Sequence, residues 1–399
     1  MLALKCKIKL DLNQIIKLET LSNEHRLLYN FLLGSIRNKS LTFKELNELY
    51  KNKRIKENLT INSKSAQNTC ISLTNNIKSF YELKKKDVTA KFPYKFIGHK
   101  YFKSFTHDYN KGMGGFKIMN NLLSLNLLNK QQLNINLPEY CSKINNENIK
   151  TITFKKENNE YFIIFVYGET PSNIKLDKKS FLSIDLGYSN IATTYSPTIN
   201  NMSIKSLRLK NINKQIELVQ SLKDKKKVGS RKHKHLSKTL RRLKSKISNK
   251  VKDFQHKVSN HIINTCIKNN IGSLIVGDIK VKKVIRKDNK KLNGLSKSTI
   301  SLGRFKTFLE YKAKKVNMDF YKVNESYTSQ QNCLTDEIMF SSDLSNREME
   351  ISKGLIIDRD LNSAINIAKK VKGVWFTHDL NLSLNEIYYD IKCCNMKNV

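Results

Sequence analysis

Phe181-Leu182-Ser183-Ile184-Asp185-Leu186-Gly187 is the stretch that decides the fold, because its apolar run predicts a buried strand ending in an acid and a glycine. A second stretch, Ile357-Asp358-Arg359-Asp360-Leu361, places two carboxylates just before a run of residues with helical spacing. A carboxylate at the start of a helix either caps the free backbone N–H groups or holds a metal ion. Each stretch alone is a modest signal, and together they predict acids that share one site.

The chain carries a large excess of positive charge. Its 399 residues include 73 Lys and Arg against 34 Asp and Glu, which gives a formal net charge of +39. Such an excess opposes compaction unless a polyanion neutralises it, so nucleic acid is the expected partner. The alternative is a merely basic protein from a Lys-rich, AT-biased genome. Together with the two acidic stretches, the charge makes a metal-dependent nuclease the first hypothesis.

Length and cysteine usage narrow the class further. The chain is long enough for two or three domains. It has no run of about 18 apolar residues, so we expect no membrane span. Its seven cysteines show no paired framework, which favours a reducing compartment. We therefore expect a cytoplasmic protein, associated with the nucleoid if the source is bacterial.

Periodicity divides the chain near residue 177, after a turn cluster at 168–173. Residues 1–177 predict helices inserted into a strand-rich platform, residues 178–372 predict an α/β order with a mixed sheet, and residues 373–399 a C-terminal tail. The predicted strands are 3–10, 151–154, 161–167, 178–186, 190–196, 201–209, 273–276 and 318–323. The predicted helices are 13–37, 63–85, 210–270 with a break at Gly229-Ser230, 301–315 and 360–371.

The long helix predicted after residue 210 is strongly basic. Residues 223–250 hold thirteen Lys or Arg and one acid, Asp224, while an apolar stripe follows another face of the helix. A charge run is often only a solvated face, but here few acids offset it, which favours contact with phosphates. The candidate contacts are Arg231, Lys232, Lys234, Lys238, Arg241, Arg242 and Lys246.

A second basic segment lies at 91–103, where lysines, including Lys95, alternate with aromatic residues. Interleaved charges and stacking rings suit nucleic acid. The alternative is an ordinary amphipathic strand.

Four further stretches complete a recognisable order. They are Gly229-Ser230-Arg231-Lys232, Asp253-Phe254-Gln255-His256-Lys257-Val258-Ser259, Phe308-Leu309-Glu310-Tyr311-Lys312-Ala313 and Glu325-Ser326-Tyr327-Thr328-Ser329-Gln330. With them the chain resembles TnpB, the family of RNA-guided DNA endonucleases encoded by insertion sequences and related to type V CRISPR effectors and Fanzor proteins. The resemblance covers nearly the whole chain. It implies an α/β fold in which a strand-rich wedge domain with a helical recognition insert (1–177) precedes an RNase H-like (RuvC) nuclease domain (178–372).

The resemblance also implies three catalytic carboxylates that hold two divalent ions, Mg²⁺ or alternatively Mn²⁺. Asp185 matches the first acid and Asp360 the third. The second acid is missing, because Gly277 occupies its position at the end of the strand before Asp278. Either the nuclease is inactive, or the acid has moved to Glu325, as in some members of the family.

We prefer the relocated acid, because in an RNase H sheet the strands that end near 277 and 324 should be neighbours. An Asp185, Asp278 and Glu325 set, as in a DDE transposase, is disfavoured because it expects the glutamate on a helix and leaves Asp360 without a role. We expect Asp278 to cap the following loop.

Many relatives carry two Cys-x-x-Cys pairs after the Tyr-Thr-Ser residues, which form a zinc site. Here the loop 326–356 contains only Cys333, and the adjacent Cys393 and Cys394 are poorly spaced for shared ligation. We therefore predict a degenerate loop without zinc.

The resemblance makes an RNA-guided DNA endonuclease from a transposon-like element the leading hypothesis. Its partners would be a guide RNA and double-stranded target DNA, and Asp185, Glu325 and Asp360 would hold Mg²⁺ for phosphodiester hydrolysis. The alternative is a nuclease-inactive RNA-guided DNA-binding protein that represses transcription. A third hypothesis is an ordinary RNA-binding protein on a vestigial nuclease scaffold.

Overall fold

The computed structural model describes residues 2–38, 43–57, 59–92, 95–109, 115–127, 132–141, 148–168, 171–278, 301–338, 347–373, 382, 384–389 and 396–398. The chain forms two compact units, Met1–Glu169 and Thr170–Val399. The division falls inside the turn cluster at 168–173. No helix in the described part of the chain is long and apolar enough to cross a membrane.

Within its described residues, the first unit combines antiparallel strands with three α-helices around one apolar core. Its elements are β1 (Leu2–Ile8), α1 (Leu12–Asn38), α2 (Phe43–Lys56), α3 (Ser63–Lys86), β2 (Phe105–Asp108), β3 (Phe116–Met119), β4 (Leu122–Asn126), β5 (Gln132–Asn136), β6 (Ile149–Glu157) and β7 (Glu160–Tyr167). The strands form a four-stranded sheet in the order β1-β7-β6-β2 and a three-stranded sheet in the order β3-β4-β5.

The elements with clear periodicity are present where the sequence predicts them. The strands β1, β6 and β7 and the helices α1 and α3 lie within a few residues of their predicted bounds. The sequence patterns did not indicate α2 or the strands β2 to β5. Those strands have only four or five residues each, which is too short for a period-two pattern to be distinctive.

The second unit is built on one mixed sheet with the strand order β12-β11-β8-β9-β10-β15-β16. Its elements are β8 (Asp177–Asp185), β9 (Asn190–Tyr195), β10 (Asn201–Lys205), α4 (Lys210–Asp224), α5 (Arg231–Lys268), β11 (Ile271–Gly277), α6 (Leu302–Lys315), β12 (Asp319–Val323), β13 (Glu348–Ser352), β14 (Leu355–Asp358), α7 (Arg359–Lys372), β15 (Leu384–Tyr389) and β16 (Met396–Asn398). The predicted strand and helix order from 178 to 372 is therefore confirmed, with the β13–β14 hairpin added.

The segment from 373 onward contributes more than a tail. The strand β15 pairs with β10 in parallel, and β16 pairs with β15 in an antiparallel arrangement. No sequence pattern indicated these strands, because both are short and are supported by pairing with strands distant in the sequence.

The break in the long basic helix is confirmed at the predicted position. Gly229 has a φ of +84°, a left-handed conformation that glycine adopts at no steric cost. The hydroxyl of Ser230 then accepts a hydrogen bond from the His233 backbone N–H at 3.2 Å and caps the N-terminus of α5. The apolar stripe of α5 is buried at Leu240 and Ile247, and it continues into the core beside β11.

Candidate active site

The three acids selected from the sequence line one cavity in the second unit. Asp185 is the last residue of β8, Glu325 follows β12 by two residues, and Asp360 is the second residue of α7. All three contribute to the wall of a cavity of about 370 Å³. Asp185 and Glu325 are 140 residues apart in the sequence, and the fold brings them to the same cavity. The role of the three acids as metal ligands stays a prediction.

The sheet explains why acids from distant parts of the chain meet. The strand β11 lies between β8 and β12 and runs parallel to both, so all three strands end at the same edge. In this register Val276 lies beside Ile184, and Gly277 lies beside Val323. The neighbour relationship predicted for the strands that end near 277 and 324 is confirmed.

Glu325 fills the space that a side chain at position 277 would need. A methyl group on residue 277 would lie 2.5 Å from Cδ and 2.6 Å from Cγ of Glu325, well inside van der Waals contact. Because Gly277 has no side chain, that space is available to the carboxylate of Glu325. A glycine at the end of β11 and a glutamate after β12 are thus sterically complementary.

Burial and mutual repulsion disfavour the charged forms of two of the acids. Burial, with repulsion by Asp360 and Asp358, raises the pKa of Asp185 to about 7. Burial, with repulsion by Asp185 and Asp278, raises the pKa of Glu325 to about 8. Oε1 of Glu325 is buried and has no hydrogen-bond partner among the described residues.

Asp360 is held by a set of contacts that sequence reasoning did not foresee. Nδ2 of Asn190 donates to Oδ2 of Asp360 at 2.9 Å, and Nη1 of Arg347 lies 3.2 Å from both carboxylate oxygens. Arg347 also donates from Nη2 to the Ser189 hydroxyl at 2.8 Å. Gly187 permits this arrangement, because a side chain there would lie 2.8 Å from the backbone oxygen of Asn190.

Asp358 caps the N-terminus of α7, a role that the sequence alone did not assign to either Asp358 or Asp360. Its Oδ1 accepts the backbone N–H of Asp360 at 2.8 Å and that of Leu361 at 3.2 Å. Capping therefore falls to Asp358, and the carboxylate of Asp360 is left to face the cavity. A backbone hydrogen bond holds Arg347 beside the site, because its carbonyl accepts the Arg359 N–H at 2.7 Å. No local sequence signal marks Arg347, since the β13–β14 hairpin brings it there.

The donor set fits a divalent cation in its chemistry. Carboxylate oxygens are the ligands that Mg²⁺ prefers, and the unpartnered Oε1 of Glu325 together with the raised pKa values of Asp185 and Glu325 marks a place where a cation would relieve repulsion. Within the described residues, however, no group of three or more His, Cys, Asp or Glu is placed to hold an ion. Arg347 and Asn190 engage Asp360 instead, so an ion at Asp360 would compete with Arg347 for the carboxylate oxygens.

Asp278 and Cys333 take other roles. The carboxylate of Asp278 pairs with the ammonium of Lys306 on α6, and its backbone N–H donates to the Val323 carbonyl at 2.7 Å. Residue 279 and the rest of the loop expected to be capped by Asp278 lie outside the described residues. Cys333 is buried in an apolar cluster, and its backbone N–H donates to Oδ1 of Asn362. Cys393 and Cys394 also lie outside the described residues, so a loop without zinc stays a prediction.

The predicted nucleic-acid contacts are exposed. All seven basic candidates of α5 are exposed, and none of them forms an ion pair with another described residue: Arg231, Lys232, Lys234, Lys238, Arg241, Arg242 and Lys246. In the first unit Lys95 is exposed, and Tyr101 exposes 73% of its surface. The described residues of 91–103 form turns and irregular backbone, so the alternative of an amphipathic strand is wrong there.

Comparison with known proteins finds families and structures that are similar to this chain. Residues 165–282 match the family described as a probable transposase (OrfB_IS605), and residues 303–367 match the Cas12f1-like TNB domain. Two TnpB-like proteins of Acanthamoeba polyphaga mimivirus are each 29% identical over 238 residues, which covers 57% of this chain and 44% of theirs. The chain thus aligns with less than half the length of these relatives.

A solved Cas12f1–sgRNA–target DNA complex has a similar fold. It superimposes with a TM-score of 0.62 over 89% of this chain and 82% of the other, at 14% sequence identity. The mixed α/β fold is therefore similar to that of the Cas12f1 chain in this complex. The two family matches cover less than half of this chain, and together with the mimivirus relatives they show that it is similar to TnpB-like proteins.

Proposed function

We propose that the chain is an RNA-guided DNA endonuclease in which Glu325 replaces the acid missing at Gly277. The steric fit between these two residues carries the proposal, because the carboxylate occupies the space of the absent side chain. The shared cavity with Asp185 and Asp360 supports it further. On this proposal the second unit is an RNase H-like (RuvC) nuclease domain, and the first is a wedge domain with α1 to α3 as its recognition insert.

The acids would have to be ionised to act. The raised pKa values of Asp185 (about 7) and Glu325 (about 8) favour the protonated acids, and each must release its proton before it serves as a ligand. Bound Mg²⁺ ions would activate a water molecule and stabilise the leaving oxygen of the phosphodiester. Asp360 reaches the cavity because Asp358 takes the capping role, and Arg347 lines the cavity with a guanidinium group that suits a phosphate.

Nucleic-acid binding would rest on the exposed basic residues. On α5, Lys234, Lys238 and Arg242 lie at four-residue intervals, the spacing that aligns side chains along a helix. In the first unit, Lys95 lies in a segment that also exposes Tyr101, which suits contact with a phosphate backbone beside a stacked base. Guide RNA and double-stranded target DNA would be the partners, with base pairing reading the target.

A second function is favoured by one specific observation. The described residues hold no preformed group of three ligands, and Asp360 is paired with Arg347. This arrangement is what a nuclease-inactive RNA-guided DNA-binding protein that represses transcription would also show. The two functions differ in a single measurable property, the cleavage of a matched target.

The test begins with the ribonucleoprotein. The protein is expressed together with the DNA that flanks its gene, and the copurified RNA is sequenced to identify the guide and design a matched target. Cleavage with Mg²⁺ is then compared for the wild type, Glu325→Ala and the control Glu310→Ala, whose carboxylate pairs with Lys314 and Lys322 outside the cavity. We expect cleavage by the wild type and the control and its loss in Glu325→Ala.

Other outcomes discriminate among the hypotheses. Cleavage that survives Glu325→Ala would exclude the relocated acid. Guided binding without cleavage by the wild type would favour the nuclease-inactive DNA-binding protein, and copurified RNA without one dominant species would favour the ordinary RNA-binding protein.

A further inference from the structure

The relocation of the acid creates a structural problem that the fold must solve. A glutamate at the end of β11 would be held by strands on both sides, because β11 pairs with β8 and β12. Glu325 instead lies past the end of β12, in a segment of consecutive turns from 326 to 330. The side chain of Glu325 is partly buried, whereas its neighbours Asn324 and Ser326 are exposed. Something other than strand pairing must therefore keep its backbone in place.

The C-terminal half of α7 supplies contacts to this segment. Nζ of Lys370 donates to the Asn324 carbonyl at 3.0 Å and to the Ser326 carbonyl at 2.8 Å. These two carbonyls flank Glu325 on either side in the chain. Further along, Nδ2 of Asn366 donates to the Thr328 carbonyl at 2.9 Å and to the Gln331 carbonyl at 2.6 Å. The same helix carries Asp360 at its first turn, so the contacts join two of the proposed ligands through one rigid element.

We propose that Lys370 is a positioning residue, which holds the backbone on both sides of Glu325 so that its carboxylate faces the cavity. This inference rests on the proposed function, in which Glu325 is a metal ligand. Two charge-assisted hydrogen bonds from one ammonium group are suited to the task, because they restrain the peptide unit that precedes Glu325 and the one that follows Ser326. Lys370 itself is not among the residues that line the cavity.

The sign of the effect on metal affinity separates positioning from simple electrostatics. At a pH well above the Glu325 pKa of about 8, where that acid is ionised with or without Lys370, a lysine near the site only repels the cation, so its removal by charge alone would tighten metal binding. Removal of a group that orients a ligand instead weakens metal binding, typically by about 10-fold or more. We therefore expect Lys370→Ala to raise the dissociation constant for Mn²⁺ by about 10-fold, and Lys370→Arg to restore most of the affinity because it keeps donors.

The same helix offers a matched control. Nζ of Lys372 donates to the Lys178 carbonyl at 3.1 Å, at the opposite end of β8 from Asp185. Lys372→Ala removes the same charge from the same helical turn and leaves the contacts to Asn324 and Ser326 intact. It should leave both the Mn²⁺ affinity and the Glu325 segment unchanged.

The experiment uses the copurified ribonucleoprotein and two measurements. Mn²⁺ binding is followed by electron paramagnetic resonance, with the protein-free copurified RNA as the background for ions bound by RNA. Amide hydrogen exchange across 324–331 reports the order of the segment without reference to any activity. The inference is supported if Lys370→Ala speeds exchange there and weakens Mn²⁺ binding, while Lys370→Arg and Lys372→Ala resemble the wild type.

Three results would overturn it. Unchanged exchange in Lys370→Ala would show that the lysine does not hold the segment, and tighter Mn²⁺ binding would show a purely electrostatic role. Faster exchange with unchanged Mn²⁺ affinity would show that the restraint does not matter for the metal. The Glu325→Ala complex shows which proposal has failed. If that complex loses its Mn²⁺ affinity, the proposed function stands and only the role of Lys370 is refuted. If it binds Mn²⁺ like the wild type, the proposed function and the role of Lys370 are both refuted.

Discussion

Substitution of Gly277 by alanine tests the relocated acid with the smallest change that the chain allows. The new methyl group would lie 2.5 Å from Cδ and 2.6 Å from Cγ of Glu325. Carbon atoms in contact settle at about 3.5–4.0 Å, so one group must move by about 1 Å. The glutamate side chain is flexible and the paired β11 backbone is not, so the carboxylate of Glu325 is the group that moves.

The consequence for activity follows from that displacement. A misplacement of about 1 Å in a reacting or ligating group can cost about 100-fold in rate, which corresponds to about 2.7 kcal/mol. We expect Gly277→Ala to lower the single-turnover cleavage rate by about 100-fold. We also expect the free energy of unfolding to stay the same or rise slightly, because alanine narrows the unfolded ensemble and the backbone at 277 is not left-handed.

The assay compares single-turnover cleavage at saturating guide and target with thermal unfolding of the same complexes. The matched control is Gly303→Ala on α6, where an added methyl group meets no atom within 4 Å. The control should cleave like the wild type and melt at the same or a slightly higher temperature. A Gly277→Ala protein that cleaves within about twofold of the wild-type rate would refute the reasoning, because Glu325 would then not act from this position.

Three further predictions concern pH, salt and the first unit. In the folded protein the pKa values of Asp185 (about 7) and Glu325 (about 8) exceed the ordinary values of these acids. The protonated acids therefore stabilise the fold fully below about pH 4, and this stabilisation is lost as the pH rises through 7 to 8. The melting temperature of the metal-free protein should therefore fall over that range, and Mg²⁺ should raise it more at about pH 8.5 than at about pH 6. Arg242→Ala should weaken RNA binding and reduce the slope of log affinity against log salt by about 1 in a filter-binding titration. Burial lowers the pKa of His107 to about 3 and that of His25 well below its usual range, so the first unit should lose stability as the pH falls from about 6.5 towards 3, as followed by circular dichroism.

Each of these predictions has its own control. Glu325→Gln should flatten the loss of stability at high pH, and a loss as steep as that of the wild type would contradict the assignment to this acid. Lys314→Ala, which removes a lysine paired with Glu310, should leave the salt slope unchanged. An equal drop in both variants would mean that α5 has no special part in binding. His99 is exposed, so His99→Gln should not alter the acid transition, whereas His107→Gln should shift it to lower pH.

Local patterns were sufficient for the elements that carry the acids. The apolar run 181–184 was sufficient to predict β8, because a strand whose residues are buried at these positions needs such a run. The helical spacing after Asp360 was sufficient to predict α7, because a helix that packs one face on the sheet needs that spacing. The break at Gly229-Ser230 was readable because a flexible glycine followed by a capping serine is a local signal. The short strands β2 to β5 and β13 to β16 were not readable, because pairing with distant partners rather than their own periodicity stabilises them.

The site shows the same distinction between local sequence patterns and contacts between distant segments. The sequence by itself determined which acids are available, that the ordinary second acid is absent at Gly277, and that Glu325 stands in a segment where it could replace that acid. Only the tertiary structure decided that the carboxylate of Glu325 fills the space at Gly277, that Asp358 rather than Asp360 caps α7, and that Arg347 pairs with Asp360. The physical reason is that residue type and helical or strand spacing are local properties, whereas the register of β11 against β12 and the burial that raises a pKa arise only when distant segments pack together.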